Sequence, residues 1–135
     1  MKTIIEKKKI AVFGIGEYFK KIYTGINRNF KINLLIDSNN KNEEFLRNLK
    51  LHNISNHLND DQLNDNDCFM ILTPPQSHLN VFKQLATFEK PILIEKPLVT
   101  CTDEINDLIK IRKNFKIYCS DYYLDVRALP LFSFL

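Results

Sequence analysis

The feature that most constrains this chain is its alternation of short β-rich apolar runs with longer stretches of helical period. Strand-like runs fall at Lys9 to Phe13, Ile32 to Ile36, Cys68 to Leu72, Ile92 to Ile94 and Lys116 to Cys119. Cys68 to Leu72 is apolar throughout, the pattern of a strand covered on both faces of a parallel sheet. Between the runs, apolar residues recur at three- and four-residue spacing: Phe19, Ile22, Tyr23 and Ile26, then Leu79, Phe82, Leu85 and Ala86, then Ile105, Leu108 and Ile109. A further helix is expected around Glu43 to Leu49, and Thr100 with Asp103 has the spacing of an amino-terminal capping box. The polar piece from His52 to Asn66 has room for at most a short strand and a short helix. Strands and helices in this order predict an α/β fold, a doubly wound parallel sheet of about six strands flanked by helices.

A length of 135 residues suits one domain and not two. We expect that domain to span 1–120, with 121–135 an apolar tail or the start of a crossover. The formal charge of +3 is small, and Lys7-Lys8-Lys9 reads as a solvated lead-in to the first strand rather than a nucleic-acid surface. Cys68, Cys101 and Cys119 are odd in number and lack metal or disulfide spacing; Cys68 and Cys119 are expected to be small buried residues in a reducing compartment. Charge arrives too early after Met1 for a signal peptide, and no run is long enough for a membrane helix. A cytoplasmic protein without a membrane or nucleic-acid partner is therefore expected.

Three turns carry the chemistry. The first is Gly14-Ile15-Gly16-Glu17-Tyr18-Phe19, directly after a strand and at the mouth of a helix. Its first glycine permits a tight turn, and its second lets the backbone approach a diphosphate that the helix amides then meet. The third position of such turns is usually small; here it is Phe19, whose ring is either accommodated or closes the groove. Asp37 ends the second strand 23 residues after Gly14, near the spacing of about 20 for an acid that binds an adenosine ribose. A 2′-phosphate about 4 Å from that carboxylate would cost roughly 1 to 4 kcal/mol, which favours NAD over NADP. Ser38, Asn39 and Lys41 offer a phosphate some help if the loop turns differently.

The other two turns are Thr73-Pro74-Pro75-Gln76-Ser77-His78 and Glu95-Lys96-Pro97. In a sheet of order 3-2-1-4-5-6 all three turns meet at the carboxyl edge, beside the point where strand order reverses. Lys96 can there stabilise negative charge on a substrate oxygen, with Glu95 orienting it and Pro97 fixing the chain's exit. His78 either caps or packs within its helix or reaches the edge of a cofactor. His52 and His57, without partners at ligand spacing, are expected on the surface.

Together, "GIGEYF", "LID", "TPPQSH" at 73–78 and "EKPL" at 95–98 resemble the amino-terminal domain of the glucose-fructose oxidoreductase, inositol dehydrogenase and MocA (Gfo/Idh/MocA) family, over about Lys8 to Ser120. The resemblance implies a Rossmann fold and an NAD(P)-dependent oxidoreductase acting on a sugar, cyclitol or related small polyol or ketone. It implies that Lys96 is catalytic, touching cofactor and substrate. The cofactor is expected against Gly14, Ile15, Gly16, Glu17, Tyr18, Asp37, Ser38, Thr73, Pro74, Pro75, His78 and Glu95. Pro75 stands where many members have Asn. Such enzymes usually carry a second α/β domain that brings most of the substrate pocket, a catalytic His and the main oligomer surface; no counterpart is seen by Leu135. A homo-oligomer or a partner chain joined through 121–135 is one expectation. A catalytically incomplete nucleotide-binding or assembly module of the same fold is the alternative, and a methyltransferase, which would leave Glu95-Lys96-Pro97 unexplained, is a remote third.

Overall fold

The computed structural model describes residues 6–38, 42–51, 54–111 and 116–119. Six strands and five helices alternate along them: β1 (Lys9–Phe13), α1 (Glu17–Asn29), β2 (Lys31–Ile36), α2 (Glu43–Asn48), β3 (Ile54–Ser55), α3 (Asp60–Asn64), β4 (Cys68–Ile71), α4 (Pro75–Leu85), β5 (Ile92–Ile94), α5 (Thr102–Ile111) and β6 (Ile117–Cys119). The sheet order is β3-β2-β1-β4-β5-β6, and every neighbouring pair is parallel. This is the expected doubly wound Rossmann sheet. The polar piece between α2 and β4 holds a two-residue strand and a five-residue helix.

The two-residue period of the strands sorts their side chains onto two cores. Ile10, Val12, Leu35 and Met70 face α1 and α2, where they meet Phe19, Ile26 and Leu46. Ala11, Phe13, Leu34, Ile36, Phe69, Ile71, Ile92 and Ile94 face the other layer, against Leu63 of α3, Leu79, Phe82 and Leu85 of α4 and Leu108 of α5. With both faces covered, the central strands have no polar side to show, which is why their sequences do not alternate with charged residues.

The register brings the strand ends level. Phe13 pairs with Ile36 on one side and with Ile71 on the other, and Ile71 pairs with Ile94. Whatever follows these four residues therefore emerges on one edge. The opposite edge is stitched by the basic run: Lys7 Nζ donates to Asn27 O at 2.6 Å, and Lys9 pairs with Asp65 at 2.7 Å. The run is thus engaged with its own domain as well as solvated.

Three expectations need correction. On α5, Leu108 is buried but Ile105 and Ile109 are 43% and 61% exposed. The helix is rolled so that Leu108 and the half-buried Ile111 enter the core together, one helical step apart, leaving the Ile105–Ile109 line in water. The cap of α5 uses Glu104 rather than Asp103. The helix begins at Thr102, so its third residue is Glu104, whose carboxylate accepts from the Thr100 backbone N–H and, at 2.8 Å, from Thr100 Oγ1. Those two bonds hold the Glu104 carboxyl below its ordinary range. Cys119 is exposed on the edge strand β6, whereas Cys68 is half-buried, with burial pushing its thiol up to about 12. A thiol so placed is no nucleophile at neutral pH. The expected tail, 121–135, lies outside the described residues, as do His52, Asn39 and Lys41.

The roll of α5 has a measurable consequence. Leu108→Ala should destabilise the chain by about 2 to 3 kcal/mol, while Ile109→Lys should stay within about 0.5 kcal/mol, as read by urea unfolding. Equal losses would mean that both residues are core.

Candidate nucleotide-binding site at the carboxyl edge of the sheet

Strand order reverses at β1, which pairs with β2 on one side and β4 on the other, and a crevice opens beyond that point. Gly14 makes the turn out of β1. Its φ is +92°, and a Cβ there would lie 2.7 Å from the carbonyl carbon and oxygen of Leu72 and from the Thr73 nitrogen. Only glycine satisfies both the torsion and the space. Gly16, the residue before α1, has ordinary extended torsions, and a Cβ there would meet nothing within 4 Å. Its bareness serves the open groove, where it leaves room for an approaching group.

The intervening Ile15 peptide is gripped at both ends. Its N–H donates to Asp37 Oδ2 at 2.7 Å, and its carbonyl accepts from Asn42 Nδ2. Asp37, immediately after β2, thus holds its carboxylate across the glycine turn. Asn42 was not singled out by sequence. The available signal is its place just ahead of α2, where a short amide side chain commonly bonds backbone.

The groove measures about 820 Å³, within the ~300–1,000 Å³ of small-molecule sites. Gly14, Ile15, Gly16, Glu17 and Tyr18 form its floor and one end, Asp37, Ser38 and Asn42 one side, and Thr73, Pro74 and Pro75 the other. Asn80, Val81 and Gln84 extend that wall along α4, and these too the sequence reading missed. They recur at helical spacing on the polar side of a helix judged there only by its apolar stripe. Pro74 and Pro75 start α4 with torsions a helix entry tolerates, Pro75 standing in the first turn where its missing N–H costs no intrahelical bond. Thr73 Oγ1 is buried and, among the described residues, has no hydrogen-bond partner. Such an unpaired hydroxyl at a groove wall calls for a partner that a water or a ligand can supply.

Past Glu95 the groove continues into a second hollow lined by Glu17, Tyr18, Lys21, Glu95 and Lys96. Glu95 borders both spaces, and its backbone N–H donates to Ile71 O at 2.9 Å. Burial pushes the Glu95 carboxyl above its ordinary range, while the charges of His78 and Lys96 pull it back down. Lys96 stands exposed at the rim. The peptide between Lys96 and Pro97 is cis. Glu17, at the mouth of α1, bonds Lys20 Nζ at 2.7 Å, which holds its carboxyl below the usual range.

Two sequence-predicted residues sit differently from the rest. Phe19 is fully buried on the sheet side of α1, with its ring edge-to-face against Tyr23 and Phe45 at 5.9 and 6.4 Å, and it takes no part in lining the groove. The ring is accommodated. His78 is also fully buried, behind the groove wall rather than in it, between the carbonyls of Thr73 and Pro97. His57 is exposed.

The donor set suits a dinucleotide: a bare glycine at a helix mouth for the diphosphate, a carboxylate after β2 for ribose hydroxyls, and an orphaned hydroxyl beside β4. The chain belongs to the Gfo/Idh/MocA family, described as an oxidoreductase family with an NAD-binding Rossmann fold, which it matches over residues 8–121. It is a nicotinamide-cofactor-binding Rossmann domain of that family. Comparison with curated proteins gives no match.

Among solved structures it is similar to UDP-N-acetylglucosamine 3-dehydrogenase GnnA from Acidithiobacillus ferrooxidans (TM-score 0.77, 19% identity, 95% of this chain and 43% of that one). It is also similar to GenD2 from gentamicin A biosynthesis in complex with NAD (0.76, 16%, 90% and 36%). A third is scyllo-inositol dehydrogenase from Lactobacillus casei (0.74, 19%, 85% and 36%). The chain thus spans well under half the length of these proteins. Among the described residues no helix is long and apolar enough to cross a membrane.

The two glycines separate by experiment. Gly14→Ala should cost about 3 kcal/mol or more in unfolding free energy, because torsion and backbone overlap both oppose it. Gly16→Ala should unfold like the parent and show its effect only as weaker ligand binding. The Glu95 carboxyl should titrate, by carbon NMR, with a midpoint above 4.5. Since its folded value is raised, its contribution to stability is fully present below the ordinary carboxyl value and is lost as pH rises through the raised one. Glu95→Gln should remove that part of the pH dependence, and an unchanged profile would assign it elsewhere.

Proposed function

We propose that this chain is the NAD-binding domain of an oxidoreductase that transfers a hydride between the nicotinamide and a sugar, cyclitol or related small polyol or ketone. The observation that carries the proposal is the groove from Asp37, over the Gly14-Ile15-Gly16 turn, past Thr73 to Glu95, together with the adjoining hollow that holds Lys96 and shares Glu17, Tyr18 and Glu95 with it. The bound nicotinamide supplies the hydride acceptor or donor. Gly16 and the first amides of α1 receive the diphosphate, Asp37 the adenosine ribose, and Thr73, Pro74 and Pro75 flank the nicotinamide half. Lys96 donates a hydrogen bond to the substrate oxygen and stabilises the negative charge that develops there, and Glu95 orients it.

NAD is preferred to NADP because a 2′-phosphate would meet the Asp37 carboxylate, which Ile15 N–H holds in place. The names of the two dehydrogenases among the similar structures, one for a cyclitol and one for a sugar nucleotide, support a polyol-like substrate. Residues 1–120 form the cofactor domain in this reading, and 121–135 lead to a second domain, a second copy or a partner chain. The setting is the cytoplasm.

Calorimetric titration with NADH and NADPH tests the reading. NADH should bind more tightly, and Asp37→Ala should weaken it by about 10- to 100-fold, the loss of charge-assisted hydrogen bonds. Tighter binding of NADPH would overturn the cofactor assignment, and binding of neither would leave a scaffold. In an active assembly, Lys96→Ala should lower kcat by about 100-fold or more without shifting the melting temperature, since the side chain is exposed.

A further inference from the structure

His78 presents a valence problem. Its ring is fully buried at the start of α4, and each nitrogen faces a backbone carbonyl: Nε2 lies 2.6 Å from Thr73 O, and Nδ1 lies 2.9 Å from Pro97 O. A carbonyl oxygen only accepts. A neutral imidazole has one N–H and one lone pair, so it can satisfy one of the two and must turn its lone pair on the other. In a dry site that repulsion is not relieved by water. Only the doubly protonated ring donates at both ends. The ionisable side chains on the facing turn, among the described residues, are Glu95 and Lys96.

The two carbonyls belong to the two turns that border the nicotinamide half of the groove. Thr73 follows β4, and Pro97 follows Lys96 directly. On the other side of Lys96, the Glu95 N–H is bonded to Ile71 O. Lys96 therefore stands between two anchored neighbours, one held by the sheet and the other by His78.

We propose that His78 is a positioning residue that, as a doubly protonated ring, bolts the turn after β4 to the turn after β5 and so fixes where Lys96 stands. It acts through Lys96 and Thr73 without touching a ligand, and its importance for turnover rests on the role given to Lys96 above. The bolt itself does not depend on that role.

The test uses the full chain labelled with 15N-histidine near neutral pH. Long-range proton–nitrogen correlation reports whether each ring nitrogen carries a proton, and His78→Gln identifies which of the three histidines gives each signal. The expected result is a His78 ring protonated at both nitrogens, with N–H protons slow to exchange. In His78→Gln, which keeps a donor for one carbonyl but not the other, the Lys96 and Pro97 carbon signals should shift and split into more than one state.

A His78 ring with one bare nitrogen would overturn the proposal, and so would Lys96 and Pro97 signals unmoved in the variant. Should the variant not fold, the wild-type ring signals still decide, with the other histidines assigned by His52→Gln and His57→Gln. NADH titration of the same wild-type sample separates the two readings: failure to bind counts against the proposed function, and the ring signals count for or against the bolt.

Discussion

The contact between Gly14 and the backbone of Leu72 and Thr73 is the constraint on which the rest depends. At 2.7 Å from any Cβ position, that approach admits no side chain. It lets β1 turn at the edge while β4 continues beside it, with Leu72 N–H bonded to Phe13 O at 2.7 Å and Gly14 N–H to Ile36 O at 2.8 Å. The single peptide group between Phe13 and Gly14 is thus tied to both neighbouring strands at the place where the sheet reverses order. The mouth of α1, the Asp37 carboxylate and the start of the Thr73 turn all take their positions from it, because each lies within three residues of one of those bonds. A residue type chosen for what it lacks sets the geometry of the whole edge.

Much of this was legible in the sequence because the signals are redundant. Five of the six strands were marked by β-rich apolar runs, β3 having only a polar segment with room for a short strand, and their parallel order by the intervening helical periods; no single weak segment could overturn both. The site was legible for a similar reason: three turns of unusual composition each follow a strand, and the topology brings strand ends to one edge. What escaped is what depends on the rotation of one element about its own axis. The roll of α5 decides between Ile109 and Ile111, the first four residues from Ile105 and the second three from Leu108, so that each belongs to a stripe of helical spacing. Asn42 and the Asn80–Gln84 wall escaped because polar residues on a helix are the default, and only the neighbouring strand end gives them something to face. The Thr100 cap moved by one residue because helix starts are set by competition among several acids in the first turn.

Electrostatically the edge is mixed rather than basic. Glu17 and Asp37 sit close to where a diphosphate would lie, yet each is engaged, Glu17 by Lys20 and Asp37 by the Ile15 amide. In the proposed binding mode, recognition of a dianion here falls on backbone amides and the α1 dipole, which are oriented by the fold and need no cationic side chain to move into place. That arrangement agrees with a small net charge overall. Lys21 and Lys96 line the adjoining hollow, together with Glu17, Tyr18 and Glu95.

Phe19 carries a lesson about how motifs encode physics. A search pattern that insists on a small residue at that position would reject this chain, although the requirement behind the pattern, a helix seated on the sheet with nothing protruding into the crevice, is met. It is met by an aromatic trio, Phe19 with Tyr23 and Phe45, in which α2 supplies the third ring. Substitution at 19 is then coupled to substitution at 45, two positions in different helices that a linear pattern treats as unrelated. In this chain a one-residue rule is thus exchanged for a three-residue one, and the room at the mouth of the helix is set by three rings on two helices rather than by the glycine signature alone.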